Sequence, residues 1–449
     1  MHLTKNRLYQ SIFYSLLSLL IFFNGFNNND LFIQINFILV SIFFLNCFKD
    51  LNYKAHIKKF FFDNKITIYI YLFFLFYIIF QIIPFPMELL KTFSKTKYKV
   101  LIELDNYKYF SSISLDPTKT FFNFLNYFSL FLYFLIFKII FYKEIHILRF
   151  YLYLVSVGFI SSLIAVYFFL IGNPDFLFIS NNSYLTSATG FFVNRTVFAC
   201  FLNLCFLSGI EYLNLIDLYT KKKENYFYQK IYIRLFLLFI TIGVITSFSK
   251  IGNFLFFLLI LIYLFKFLFN RNKNNSLIYT LLIIIIFDIF VLGFFFGGNK
   301  LLERFYFLKD ELVGYIELQN IDNSLKRSDI VKFSIQQITE FKFFGYGMGS
   351  FETLFKIFNI DNSIYYANHA HSDLIELIGE LGLIGFSIFF ILIFNLLKKI
   401  NFYDYKFLYL TIYFIILLIF DFSLHKFLIQ LIFILLISIQ VKKIPNLNY

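Results

Sequence analysis

Charge is scarce in this sequence. Asp, Glu, Lys and Arg together make up 15% of its 449 residues, where an ordinary soluble domain carries about 25%. A chain this poor in charge cannot keep a globular surface wet, which excludes a soluble enzyme. With 59% hydrophobic residues it cannot be a disordered protein either. Only three cysteines occur. Cys47, Cys200 and Cys205 all lie inside apolar runs and read as buried thiols, which excludes a disulfide-stapled secreted module. Tryptophan is absent while Phe numbers 73. Alongside many Ile, Asn, Lys and Tyr, that abundance looks like AT-rich codon usage and not a binding stripe. Several chemical signatures are missing as well: there is no Walker A motif, no GxSxG, no HExxH and no Asp-x-Asp pair. Nucleotide-driven transport, serine hydrolysis and zinc proteolysis lose their usual marks. No cleavable signal peptide is expected, since the apolar segment after Lys5 and Arg7 runs on without a small-residue cleavage site.

What the chain does have is long apolar runs, such as Ile66–Ile83 and Leu277–Phe296. Runs of roughly 18 residues or more read as membrane-spanning helices, and the strict alternation of an outer-membrane barrel is lacking. The pattern predicts an all-α, polytopic integral membrane protein with about twelve spans. They fall near 8–26, 31–48, 66–83, 120–142, 147–171, 190–213, 231–247, 251–269, 277–297, 374–397, 407–424 and 427–441. Basic residues gather in alternate connections: Lys5 and Arg7, then Lys49 to Lys59, Lys221 to Lys230, Arg271 and Lys273, Lys398 and Lys399, and Lys442 and Lys443. The positive-inside rule places those connections and both termini in the cytoplasm. It also accounts for the net charge of +13 without a nucleic-acid partner. The opposite side carries two long loops, 84–119 and, between the ninth and tenth spans, 298–373. Loops of this length are usually functional or disordered. The second contains spaced glycines and paired histidines, so it is expected to be ordered and to hold chemistry. No internal repeat of the transporter kind is visible.

The richest stretch runs from Asn368 to Gly385, out of that loop and into the tenth span. His369 and His371 sit at the membrane boundary, where a half-wet imidazole titrating near pH ~6.5 can accept a proton. Glu376 and Glu380 are one helical turn apart, and an intramembrane carboxylate is usually functional or paired. Gly379, Gly382 and Gly385 recur every third residue and suit close helix approach. The bland alternative is a glycine-lined packing helix with an interfacial histidine cap. A His-x-His metal site is disfavoured, because the sequence offers no clear third ligand nearby. The pair Glu103 and Asp105 in the first loop could hold a metal, but two acidic residues in a loop are common by chance. Asp288 and Asp421 lie within spans and read as structural more often than catalytic.

His371, Asp373 and the run Glu380-Leu-Gly-Leu-Ile-Gly385 resemble the hallmark of the O-antigen ligase and O-antigen polymerase family, with Ser372 where that family has Asn. Other stretches follow in the family's order: Ser114-Leu-Asp-Pro-Thr-Lys-Thr120; Thr189-Gly-Phe-Phe-Val-Asn-Arg-Thr-Val-Phe-Ala199; Thr246-Ser-Phe-Ser-Lys-Ile-Gly252, with Lys250 in place of Arg; Arg327; Gly345-Tyr-Gly-Met-Gly-Ser-Phe351; and Asp421-Phe-Ser-Leu424. Together they cover roughly 110–425, with a ligase-like core over 190–425.

The resemblance implies a GT-C-like membrane glycosyltransferase that needs no metal or other cofactor. It would move a glycan from an undecaprenyl-diphosphate carrier to an acceptor on the periplasmic face of the bacterial inner membrane. The acceptor would be lipid A core in a ligase, a second lipid-linked glycan in a polymerase, or Ser/Thr in a protein-glycosylating relative. By the same resemblance His371, Arg327 and Arg195 are catalytic. Arg304, His369, Lys250, Asn194, Gly345, Gly347, Gly349, Asp373 and Glu380 bind substrate. A lipid diphosphate leaving group needs fixed cations, and Arg suits bidentate phosphate binding. The glycines would let backbone approach the glycan or phosphate closely. A lipid-linked glycan flippase is the competing class. It would be expected to place its charges along a central cavity within the spans, whereas these gather at one face and in one loop.

Overall fold

A computed structural model of the chain describes residues 2–23, 30–50, 53–103, 109–174, 186–219, 226–269, 279–280, 282–284, 286, 327–359, 367–398 and 404–439. These are almost wholly helical. The helices are α1 (His2–Phe22), α2 (Asp30–Lys49), α3 (Lys54–Asp63), α4 (Lys65–Phe80), α5 (Met87–Phe93), α6 (Lys95–Glu103), α7 (Pro117–Ile140), α8 (Glu144–Leu170), α9 (Arg195–Tyr219), α10 (Phe227–Thr246), α11 (Lys250–Phe269), α12 (Arg327–Glu340), α13 (Phe351–Phe358), α14 (Asp373–Leu397), α15 (Tyr405–Phe420) and α16 (Phe427–Ile437). A short antiparallel pair joins β1 (Phe85–Pro86) to β2 (Phe110–Ser111).

Six described helices are long and apolar enough to cross a bilayer: α2, α7, α8, α9, α10 and α14. A seventh candidate combines α3 with α4, which meet at a bend of 83°. The last two expected spans are apolar helices of 16 and 11 residues. At about 1.5 Å per residue both are shorter than the ~30 Å hydrocarbon core. Most of the expected span 277–297 lies outside the described residues.

The helix starts follow local chemistry. Pro117 opens α7, and the Asp116 carboxylate accepts the Lys119 amide at 3.1 Å, a side-chain cap followed by proline at the first helical position. Ser249 accepts the Gly252 amide at 3.1 Å and starts α11. Lys138 and Lys406 donate to the carbonyls of Ser438 and Ile439 at the C-terminal end of α16. Cations satisfy the orphan acceptors and the negative dipole end there.

One continuous apolar core joins α1, α2, α7, α8, α9, α10, α11, α15 and α16. The two ends of the bundle differ. At one end Lys5 pairs with Asp50 at 2.9 Å, and Asn6 lies 3.3 Å from His146 Nε2. The other end collects the start of α7, the start of α14, the turn between α15 and α16, and the folded part of the first long loop. In that loop Met87, Leu90 and Ile113 form a small core against Phe344.

Candidate active site

The site is built where α14 begins. Its first turns carry Asp373, Glu376 and Glu380, none more than 1% exposed. A buried carboxylate must be paired or hydrogen-bonded, and two of the three each accept a backbone amide and meet a histidine at close range. Asp373 accepts the Leu424 amide at 2.9 Å and meets His425 Nδ1 at 3.2 Å. Its own amide donates to the Asp421 carbonyl at 2.9 Å. Asp373 thus fastens α14 to the turn that joins α15 and α16. Glu376 accepts the Ala370 amide at 2.8 Å and meets His369 Nδ1 at 3.0 Å, so it holds the segment leading into the helix. His425 Nε2 stands 3.5 Å from Glu376 and 4.0 Å from Glu380.

Aromatic contacts complete the arrangement. His369 stacks on Phe422 with ring centroids 4.9 Å apart, and His371 meets the same ring edge-on at 5.4 Å. His371 has φ +58°, a left-handed conformation uncommon outside glycine. Such strain persists where the surroundings over-determine it, and it marks functional positions. Here the Ala370–Glu376 bond on one side and the α14 start on the other fix the backbone around His371.

The histidines differ electrostatically. Burial pushes the His369 pKa below its ordinary value, against the opposing pull of Glu376. Burial alone would also lower His425, but Glu376, Asp373 and Glu380 overcome it and raise that pKa to about 10. Where no other cation is bound, protonated His425 is the counter-charge to these carboxylates.

α14 is not one continuous helix. Gly382 has φ +64° and ψ −179°, which breaks the helix inside the apolar run. The freed carbonyls are taken up by the glycine segment of the second loop. Tyr346 N donates to Gly379 O and Gly347 N to Glu380 O, both at 3.1 Å. Leu383 N returns the bond to Lys342 O at 2.9 Å. Two polar residues of α4 and its C-terminal turn lock the junction. Gln81 donates to Phe344 O and Glu380 O at 2.8 Å and accepts from Met348 N at 3.2 Å. Tyr77 donates to Leu381 O at 2.6 Å. The first loop joins them: Leu115 N donates to Tyr346 O at 2.8 Å, and Ser114 Oγ lies 3.2 Å from Ser350 Oγ. Three stretches singled out in the sequence, 114–120, 345–351 and 371–385, therefore meet at one end of the bundle.

Several expectations change. Gly345, Gly347 and Gly349 all have positive φ, but what comes close to them is the protein itself. The Glu380 carbonyl and Gly382 amide fill the space beside Gly345, Ser114 that beside Gly347, and Asn123 that beside Gly349. The 379-382-385 repeat receives a helix only at Gly385, where α4 packs through Tyr77. Gly379 and Gly385 admit the rings of Tyr346 and Tyr77, and Gly382 is the break. Asp421 sits past the end of α15, where its carboxylate accepts the Phe422 amide at 2.6 Å. Asn194 caps α9 by accepting the Thr196 amide at 2.7 Å. Arg195 is the first, half-buried residue of α9, and exposed Lys250 opens α11. Arg327 opens α12, though its side chain, like Arg304, Asp105 and Asp288 entirely, lies outside the described residues. The sequence offers no third ligand for a metal at His369, yet the fold brings Glu376 and His425 to it. His371 takes no part in that group.

Sequence reasoning misses His425 and Gln81. His425 directly follows the Asp421–Leu424 stretch, and Gln81 is a single amide in the apolar run 66–83. A lone polar residue of that kind inside a span is a signal that could have been used.

A comparison with curated proteins finds no match to the chain. Residues 235–390 match the family described as O-Antigen ligase. That stretch contains Lys250, Arg327, the glycine segment and the start of α14, so the match coincides with much of the assembly just described. Its apolar helices make it a membrane protein, and the match over this segment supports membership of the O-antigen ligase and polymerase family.

Proposed function

We propose that the protein transfers a glycan from an undecaprenyl-diphosphate carrier to an acceptor hydroxyl, as an O-antigen ligase joins polysaccharide to lipid A core. The reaction takes place on the periplasmic side of the bacterial inner membrane, with both termini cytoplasmic. One observation carries the reading: a strained, half-buried His371 stands where the family-like segments converge. Of the other two histidines here, His369 meets Glu376 and His425 meets Asp373.

In this reading His371 takes the proton from the acceptor hydroxyl. The oxygen attacks the anomeric carbon as the carbon–oxygen bond to the diphosphate breaks. The electron pair leaves with the diphosphate. Arg327 and Arg195, with Arg304 and Lys250, stabilise that departing charge. Attack opposite the leaving group inverts the anomeric centre, and no metal takes part in the transfer. The positive-inside pattern supports the orientation, since Lys5 and Asp50 mark the end of the bundle away from this cluster.

The test is the surface glycan profile of a strain lacking the protein, complemented with wild type or His371→Ala. The expected result is finished polymer retained on the carrier and bare lipid A core, restored by wild type only. Loss of one general base should lower the rate by about 10²–10⁴-fold. A core bearing a single repeat unit would reassign the protein as a polymerase. An unchanged profile, or full complementation by His371→Ala, would overturn the transferase reading.

A further inference from the structure

The buried carboxylates are unequally satisfied. Asp373 and Glu376 each accept a backbone amide and meet a histidine. Glu380 is 0% exposed; the backbone amides of Gly349 and Phe351 face its carboxylate, yet neither oxygen has a partner in full hydrogen-bond geometry among the described residues. Such a group is costly unless a cation reaches it. His425 Nε2 comes no closer than 4.0 Å, too far for a hydrogen bond.

The geometry around it is that of a coordination shell. His369 Nδ1 and Glu376 Oε1 are 3.0 Å apart, and Glu376 Oε1 and His425 Nε2 are 3.5 Å apart. The ligand atoms of His369, Glu376 and His425 all lie within 4.8 Å of one another. Glu380 Oε2, from the next turn of α14, stands beside this group at 4.0 Å from His425 Nε2. Four tetrahedral ligands held ~2.0–2.1 Å from a metal ion lie about 3.3 Å from each other, so small side-chain movements would place all four around one ion. His425 is oriented through its other nitrogen by Asp373 at 3.2 Å. Metal-bound imidazoles are commonly oriented by a carboxylate in this way.

We propose that His369, Glu376, His425 and Glu380 bind one divalent transition-metal ion of the zinc class. Two imidazoles and two carboxylates are a donor set that suits such an ion. Four protein ligands close the coordination sphere, as in structural sites. The ion therefore acts as a fastener for the 367–371 segment, α14 and the turn before α16, leaving no open position for the sugar. His371 is not one of the ligands, and its ring meets the edge of Phe422.

The test uses the untagged full-length chain purified in detergent. Mass spectrometry of the metal content should find about one zinc per chain. Zinc returned after chelator treatment should bind saturably and raise the thermal midpoint. Glu380→Gln, which keeps the side-chain shape, should lose the metal. Asp373→Asn should weaken zinc binding by about 10–100-fold, and His371→Ala should retain it. Wild type that carries no zinc and takes none up saturably would overturn the proposal. Zinc bound equally by wild type and Glu380→Gln would overturn it too, because the ion would then sit elsewhere. The readout is metal content and not glycan transfer, so its failure would leave the transferase reading standing.

Discussion

Gly382→Ala should be among the most damaging single-methyl additions in this protein. The residue has φ +64° and ψ −179°, a region open essentially to glycine alone, and a strained residue of this kind costs about 1–3 kcal/mol. The added carbon would sit 2.5 Å from the Phe343 carbonyl oxygen, with the Gly345 amide nearer still. Both are backbone atoms, the Phe343 oxygen held by the Ile384 amide and the Gly345 amide bonded to Phe341 O, so they cannot swing aside as a side chain would. Overpacking adds about 1–3 kcal/mol, for a total of roughly 2–6 kcal/mol. Gly172 is the internal control: its φ is +87°, but nothing lies within 4 Å of an added carbon. Gly172→Ala should cost only the conformational part, about 1–2 kcal/mol. With no tryptophan in the chain, unfolding is better followed by a thiol-reactive dye, since Cys47, Cys200 and Cys205 are all buried. A Gly382→Ala midpoint no lower than that of Gly172→Ala would refute the reasoning.

Other substitutions probe the neighbouring contacts. Gln81→Leu strips partners from Phe344 O, Glu380 O and Met348 N. It should destabilise by about 1–3 kcal/mol in the same thiol assay, and a neutral result would mean that water replaces the amide. Asp116→Ala removes the α7 cap and should cost about 0.5–2 kcal/mol. Although burial alone would raise the Asp116 pKa, bonds from Thr118, Lys119 and Thr353 hold it below the ordinary carboxylate value. Its contribution is therefore present above the unfolded pKa of about 4 and lost as pH falls through the folded value. Wild type and Asp116→Ala should then converge in stability on acidification, and a constant gap down to the lowest accessible pH would contradict this. His371→Ala should lower activity by about 10²–10⁴-fold, and the thermal midpoint of the same protein separates a lost proton acceptor from lost packing against the edge of Phe422.

Apolar run length placed many helices well: 31–48 became Asp30–Lys49, and 231–247 became Phe227–Thr246. The resemblance picked out the stretches that meet around α14. Hydropathy could not show the break at Gly382, because a residue's φ leaves no trace in how apolar its neighbours are. Nor could it show that the first long loop folds onto the glycine segment, since Ser114 and Ser350 touch across 236 residues. His425 was hidden for a similar reason. Its partners Asp373 and Glu376 are about fifty residues away, and a single histidine after a short motif says nothing about distant carboxylates.

The stitching of Gln81, Ser114 and the glycine segment also sets a timetable for biogenesis. Contacts of such high sequence separation close late. At about 5–20 residues per second, the ribosome needs roughly 10–50 s to travel from Ser114 to its partner Ser350. Through that interval the side-chain amide of Gln81 lacks its partners Phe344, Met348 and Glu380, and Ser114 lacks Ser350. The N-terminal helices must therefore wait, inserted and incomplete, for the C-terminal half. A truncation before Gly345 is expected to leave them a substrate for membrane quality-control proteases, where a shortened but self-sufficient domain would survive.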